Sequence, residues 1–280
     1  MHFKKVVIIG VGLIGGSIGK ALIQRGRADE VVGVCRRRSS LERAIAEKTL
    51  TRGFVDDYAK ALPGADIIVI ATPVHVIRGV LRKIAEVDVA GAVVTDAGST
   101  KRDIVEFARE FKDKFTFIGG HPLAGSEKTG PESARADLFE GSVCLLTPDA
   151  DVDKSGLDRL KGMWTGIGAD VGIISPEEHD RNLAYSSHLP HVVAYALAGV
   201  LEEKFPATMF ATGFKDTTRI ASSDAGLWSD ILLSNKDNVL EATAKFREIL
   251  SRIEEALGRE NEEDLKEHLR NYKALRDELF

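Results

Sequence analysis

Residues 6–17 read Val-Val-Ile-Ile-Gly-Val-Gly-Leu-Ile-Gly-Gly-Ser, and no other stretch constrains the fold as tightly. Four apolar, mostly β-branched residues form a strand of the kind buried on both faces inside parallel sheets. Gly10, Gly12 and Gly15 follow at the G-x-G-x-x-G spacing. The first allows a tight turn, the second lets backbone approach a pyrophosphate, and the third lets a helix lie close on the strand. Residues 13–24 have a helical pattern, so Leu13 and Ile14 open a helix whose free N–H groups point at the phosphates. A purely structural glycine turn has the same spacing. The strand before it and the helix after it are the context that a dinucleotide requires.

Strand and helix patterns alternate through residue 174. Strands are expected over 31–35, 66–71, 92–95, 115–118, 143–146 and 171–174, and helices over 40–47, 75–85, 101–111 and 156–168. A long loop is expected from 119 to 142. This alternation predicts an α/β domain, residues 1–174, built as a doubly wound, mostly parallel Rossmann-type sheet with right-handed crossovers. After Ser175-Pro176 no strand pattern recurs, and residues 175–280 read as an all-helical domain. The stretches 192–201 and 239–257 are long and apolar, which suggests helices that bury themselves against a second copy in a homodimer. The alternative is a monomer whose helices pack on the sheet domain. Residues 260–280 read as a charged surface helix.

Composition narrows the partners. The 280 residues carry a net charge of −5 with no basic block, which argues against a nucleic-acid surface. There is no apolar run of membrane-spanning length and no leader pattern, so a cytoplasmic protein without membrane contact is expected. Cys35 and Cys144, the two cysteines, both lie in apolar runs and read as packed thiols rather than as a disulfide or metal site.

The end of the second strand bears on cofactor choice. NAD-binding sites of this type usually place Asp or Glu there to hold the ribose 2′-hydroxyl. Here Cys35 is followed by Arg36-Arg37-Arg38-Ser39-Ser40, with no carboxylate. Guanidinium forks and hydroxyls suit a 2′-phosphate, with Cys35, Arg36 and Ser39 beside it, so NADP is expected. The alternative is a solvated arginine corner with NAD bound without the usual acid.

Further segments fall past the carboxyl ends of strands, where ligands bind in such folds. Thr72 and Pro73 are expected to line the nicotinamide side. In Asp96-Ala97-Gly98-Ser99-Thr100-Lys101, Ser99 is a candidate ligand or simply a helix N-cap. His121 follows a strand end in the glycine-rich run 119–127, poised for proton exchange near neutral pH or held structurally by backbone. Among the helices, His188 and His191 share a face, which raises the thought of a metal. No third-ligand pattern accompanies them and Pro190 bends the chain, so no metal is expected. Arg219, within a semi-apolar helix, calls for a carboxylate of the substrate or an internal pair with Asp216.

With these segments in hand, the chain resembles the prephenate/arogenate dehydrogenases of tyrosine biosynthesis. GVGLIGGS, ATPV, DAGSTK, GGHPLAGSEKTG, HLPH and FKDTTRIA stand in the family's order and span nearly the whole chain. The resemblance implies an oxidative decarboxylation: hydride leaves C4 of a cyclohexadienol for NAD(P), CO2 leaves C1, and the ring becomes aromatic. It implies that His121 takes the proton of the C4 hydroxyl and that Ser99 holds the same hydroxyl. Arg219 would bind a substrate carboxylate. His191 and Ser126 would surround the side chain, with Glu127 and Asp180 gating or orienting, and Lys101 among the substrate-binding groups. The arginine-rich segment is similar to the NADP-using arogenate branch, whereas HLPH is similar to the prephenate branch. Two rival readings are a dehydrogenase of the β-hydroxyacid or imine-reductase type and a redox-sensing module that binds dinucleotide without turnover.

Overall fold

The computed structural model describes residues 1–126, 128–201, 206 and 209–279. Eight strands form one sheet: β1 (Phe3–Ile9), β2 (Ala28–Cys35), β3 (Arg52–Val55), β4 (Ile67–Ile70), β5 (Val93–Asp96), β6 (Thr116–Pro122), β7 (Val143–Pro148) and β8 (Asp170–Ile173). Their order is β3-β2-β1-β4-β5-β6-β7-β8, and every pairing is parallel except β6 with β7. Successive crossovers run outward from β1 in one direction and then from β4 in the other. The reversal leaves a crevice at the carboxyl ends of β1 and β4, where such sheets bind ligands.

The helices α1 (Leu13–Gln24), α2 (Arg38–Ala46), α3 (Tyr58–Ala61), α4 (Val74–Ala85), α5 (Arg102–Ala108) and α6 (Lys154–Gly166) cover the sheet. Along β1, Val6 and Ile8 join a core on one face with Ile18, Leu22 and Trp164. Val7 and Ile9 join a second core on the other face with Ile77, Leu81 and Ile104. A strand buried on both faces can carry no polar residue, hence the unbroken apolar run. The short β3 and α3 were not expected. The former is a four-residue edge strand of mixed polarity (Arg-Gly-Phe-Val), too short to show a period.

From Pro176 onward every element among the described residues is helical. α7 (Pro176–Leu183) starts in a capping box in which Ser175 and Glu178 exchange hydrogen bonds. It runs through a π-helical turn, Ala184–His188, directly into α8 (Leu189–Gly199). Contrary to the sequence expectation, Pro190 therefore does not bend the chain out of the helix. Proline lacks the N–H of an i→i−4 bond, and the wider turn before it absorbs the mismatch. There follow α9 (Thr212–Thr218), α10 (Ala225–Ser234), α11 (Lys236–Gly258) and α12 (Glu262–Leu279). Among the described residues the buried core of this half is small, centred on Ala184, Val239 and Ala242, while Leu240, Leu257, Leu269 and Leu275 are exposed. No described helix is long and apolar enough to cross a membrane.

Candidate active site

The turn after β1 has the conformation that its glycines predict. Gly10 has φ +91°, and a Cβ there would lie 2.6 Å from the Ala71 carbonyl oxygen. A Cβ on Gly15 would lie 2.1 Å from the Gly10 carbonyl oxygen, so only glycine brings α1 this close to the strand. Gly12 differs: nothing lies within 4 Å of its missing Cβ. It caps α1 without a side-chain hydrogen bond, and the first turn holds no acid. Open space in front of uncapped N–H groups is a cradle for a pyrophosphate, so the residues present fit a dinucleotide. Leu13 and Ile14 form that first turn. The Ala71-Thr72-Pro73 segment lies alongside, with Ala71 N–H bonded to Ile9 O at 2.8 Å.

At the end of β2, Cys35 is buried, its sulfur facing the Val11 backbone N–H, and burial pushes its thiol pKa up. It shapes the turn from beneath. Arg36, Arg37, Arg38 and Ser39 are exposed, and the three guanidiniums make no ion pair with any described residue. Asp56, just after the neighbouring β3, has its N–H on Cys35 O and is paired with Lys83 at 2.8 Å.

His121 lies within β6, opposite Leu145 of β7, rather than in a loop after the strand. The preceding glycines hid the extension. Strand propensity is low at glycine, yet a Cβ on Gly120 would lie 2.7 Å from the Asp96 carbonyl oxygen, so the packing requires it. The ring is half-buried. Burial holds its pKa well below the usual imidazole range, with His179, Lys101 and His188 adding to the effect. Its Nδ1 is 2.8 Å from His179 Nε2, and His179 Nδ1 is 2.8 Å from Asp180 Oδ1.

Lys101, expected among the substrate-binding groups, and Asp180, expected to gate or orient, are both buried. Lys101 is wholly buried. Its ammonium pairs with Asp96 and donates to Gly120 O at 2.9 Å. Asp96 also accepts the N–H groups of Gly98 and Gly120, so the ion pair fastens the β5–α5 turn to β6. Lys101 thereby ties the segment that carries Ser99 to the strand that carries His121, and its side chain is closed to solvent. Asp180 is buried too. It accepts the N–H groups of Lys101 at 2.7 Å and Arg102 at 3.0 Å, acting as a cap for α5. Ser99 is partly exposed and forms no hydrogen bond with another described residue. Ser126 is exposed and accepts the Lys128 N–H at 3.2 Å. Glu127 lies outside the described residues.

The helical half supplies further groups. His191 Nδ1 donates to Ser187 O at 3.0 Å, and its ring stacks on Trp228. Burial lowers its pKa, and the charge of Arg219 adds to that. Arg219 is exposed at the end of α9, not set within an apolar helix, so burial does not force a partner on it. It makes no ion pair with Asp216 or any other described residue. His121 and Arg219 stand at the two ends of a row of electrostatic neighbours that passes through His188 and His191.

His179, His188, Trp228 and Asn235 were missed as site residues. Asn235 Nδ2 donates to Asp180 O at 2.7 Å and to His188 Nδ1 at 3.1 Å. α10 runs along the seam between the two halves. Asp230 accepts the His75 N–H at 3.1 Å, at the start of α4, and Ser234 Oγ is 3.1 Å from Thr100 Oγ1. The sequence singled out the pair His188–His191 and the run Glu178-His179-Asp180 without assigning His179 or His188 a role. The rest are brought together by tertiary contacts. Among the described residues no three His, Cys, Asp or Glu converge as metal ligands do.

Comparison with known proteins gives a consistent picture. A family model described as prephenate dehydrogenase, nucleotide-binding domain, matches residues 18–173, and one described as prephenate dehydrogenase, dimerization domain, matches residues 175–271. A prephenate dehydrogenase of Bacillus subtilis is 35% identical, over 98% of this chain and 76% of its own length. A prephenate dehydrogenase from A. aeolicus, solved with hydroxyphenyl propionate and NAD+, superposes with a TM-score of 0.92 at 35% identity, covering 100% of this chain and 99% of that one. The arogenate dehydrogenase of Synechocystis superposes with a TM-score of 0.84 at 28% identity, covering 99% and 100%.

Proposed function

The chain belongs to the prephenate dehydrogenase family, and on that premise we propose that it converts prephenate to 4-hydroxyphenylpyruvate by oxidative decarboxylation, with His121 as the proton acceptor. When bound, the nicotinamide supplies the acceptor for the hydride that leaves C4. The observation that carries the role of His121 is its half-buried imidazole near the carboxyl end of β6, the end of the parallel strands at which the glycine turn also opens, with burial holding its pKa well below the usual imidazole range. A base held neutral at working pH is ready to draw the proton from the C4 hydroxyl as hydride departs. Aromatisation drives the reaction, so the protein's main task is to orient the reacting groups.

Gly10, Gly12, Leu13, Ile14 and Gly15 hold the pyrophosphate, and Thr72 and Pro73 line the nicotinamide side. Arg36 and Ser39, above the buried Cys35, take a 2′-phosphate. The unpaired arginines and the absence of a free carboxylate at this strand end support NADP over NAD. Ser99 holds the substrate hydroxyl, Arg219 a carboxylate, and Ser126, Glu127 and His191 the side-chain end. The division falls at 174/175, between the last strand and the Ser175 cap. The exposed leucines of α11 and α12, over so small a local core, support a homodimer through the helical half.

Initial rates with prephenate and arogenate, each crossed with NADP and NAD, test the reading. We expect turnover with prephenate, faster with NADP. His121→Asn should lower kcat by about 10²–10⁴-fold with little change in cofactor affinity. Absence of turnover with either substrate, or an undiminished His121→Asn enzyme, would overturn it.

A further inference from the structure

The row Asp180–His179–His121 is a set of hydrogen bonds whose polarity is determined from one end. Asp180 Oδ1 and Oδ2 accept the backbone N–H groups of Lys101 and Arg102. Two amide donors favour the carboxylate form of Asp180, and a carboxylate can only accept. His179 Nδ1, 2.8 Å from Oδ1, must then carry the hydrogen. Full burial disfavours the imidazolium form of His179, and a neutral imidazole with hydrogen on Nδ1 has a bare Nε2. That nitrogen is 2.8 Å from His121 Nδ1, which must therefore donate. The hydrogen of neutral His121 is thus on Nδ1, and its Nε2 is bare. His179 is fully buried and Asp180 nearly so, and the two contacts at 2.8 Å are direct. Asn235 adds a further constraint by donating to the Asp180 carbonyl oxygen.

We propose that His179 and Asp180 are positioning residues that hold His121 in the Nδ1–H tautomer, so that its Nε2 is the nitrogen that receives the substrate's proton. This rests on His121 being the base. It adds which nitrogen acts and what selects it. The arrangement does for this imidazole what an orienting carboxylate does for the histidine of a catalytic triad, with a second imidazole inserted between. His179, fully buried, offers no surface to a ligand. Its effect passes through the hydrogen that it requires on its neighbour.

The test is a tautomer measurement on the whole protein, labelled with ¹⁵N-histidine and saturated with NADP. The ring nitrogens of His121 are assigned by their loss in His121→Asn. We expect a protonated Nδ1 and a bare Nε2 in the wild type. In His179→Leu the hydrogen should shift toward Nε2, and kcat should fall by about 10²–10³-fold while the KM for cofactor stays within about twofold. His179→Gln, whose amide oxygen can accept from Nδ1–H, should recover part of both. Should His179→Leu fail to fold, the wild-type and His179→Gln spectra still decide the matter. A wild-type His121 with hydrogen on Nε2 would overturn the proposal. So would a His179→Leu enzyme that loses activity with its His121 tautomer unchanged. If His121→Asn retains turnover, the reading of His121 as base fails instead, and the spectra still report on the relay.

Discussion

Lys101→Met separates a structural lysine from a substrate-binding one. The substitution keeps most of the aliphatic stem and removes the ammonium, leaving Asp96 buried without its counter-charge and Gly120 O without its donor. Deleting one partner of a buried pair costs about 3–5 kcal/mol. Asp96 keeps the amide donors of Gly98 and Gly120, so the lower part of that range applies, about 3–4 kcal/mol. For a domain of this size that corresponds to a fall in Tm of roughly 10 °C. The chain has two tryptophans, one in each half. Trp164 packs edge-on against Phe139 within the sheet core, whereas Trp228 stands over His191. Urea titration followed by fluorescence in a Trp228→Phe background therefore reports on the sheet half alone. The midpoint should drop for Lys101→Met, and adding Asp96→Asn should restore part of the loss by removing the stranded charge. A wild-type urea midpoint combined with a raised KM for substrate would refute this reasoning and return Lys101 to the substrate's surroundings.

Other outcomes follow from the same structure. Gly12→Ala meets open space and should fold normally while raising the KM for cofactor, whereas Gly15→Ala drives a methyl into the Gly10 carbonyl and should destabilise the protein itself; equal unfolding midpoints would contradict the pair. Burial depresses the pKa of His121 and His179, and takes that of His188 from 6.5 to about 4. The unfolded chain therefore binds protons first as pH falls. The stability from keeping these rings neutral is present above about pH 6.5 and lost toward about pH 4, with His188 alone contributing about 3 kcal/mol. Denaturant midpoints measured across that window should decline and should decline less in a His188→Gln variant; a flat profile would count against it. Arg219→Ala should raise the KM for substrate about tenfold or more while leaving cofactor KM and unfolding midpoint unchanged, because the exposed guanidinium holds no described residue in place.

Much of the sheet half is legible in the order of residues, because its signals are local. A β-branched run, three glycines at set spacing and a following helix all act within about fifteen residues of one another, and strand–helix alternation implies a parallel sheet. The backbone at Gly10, Gly12 and Gly15 follows their spacing: a tight turn, open space and a close approach. Where packing overrules local preference, the sequence misleads. β6 continues through Gly119 and Gly120 because β7 pairs with them, and the helix runs past Pro190 because a π turn takes up the strain.

The candidate site divides the same way. Residue types in known motifs point to His121, Ser99, His191 and Arg219. Nothing in their order says that Lys101 turns inward to Asp96, or that Arg219 stands in solvent. Those outcomes depend on which groups lose water, and that is decided only when distant segments meet. The contact of His121 with His179 joins residues 58 apart in the chain, and that of Asn235 with Asp180 joins residues 55 apart. The sequence by itself determined the chemistry available and the fold that presents it. Only the tertiary structure decided which of those groups are buried, bonded and neutral, since burial and hydrogen-bond partners belong to the packed chain and not to any segment of it.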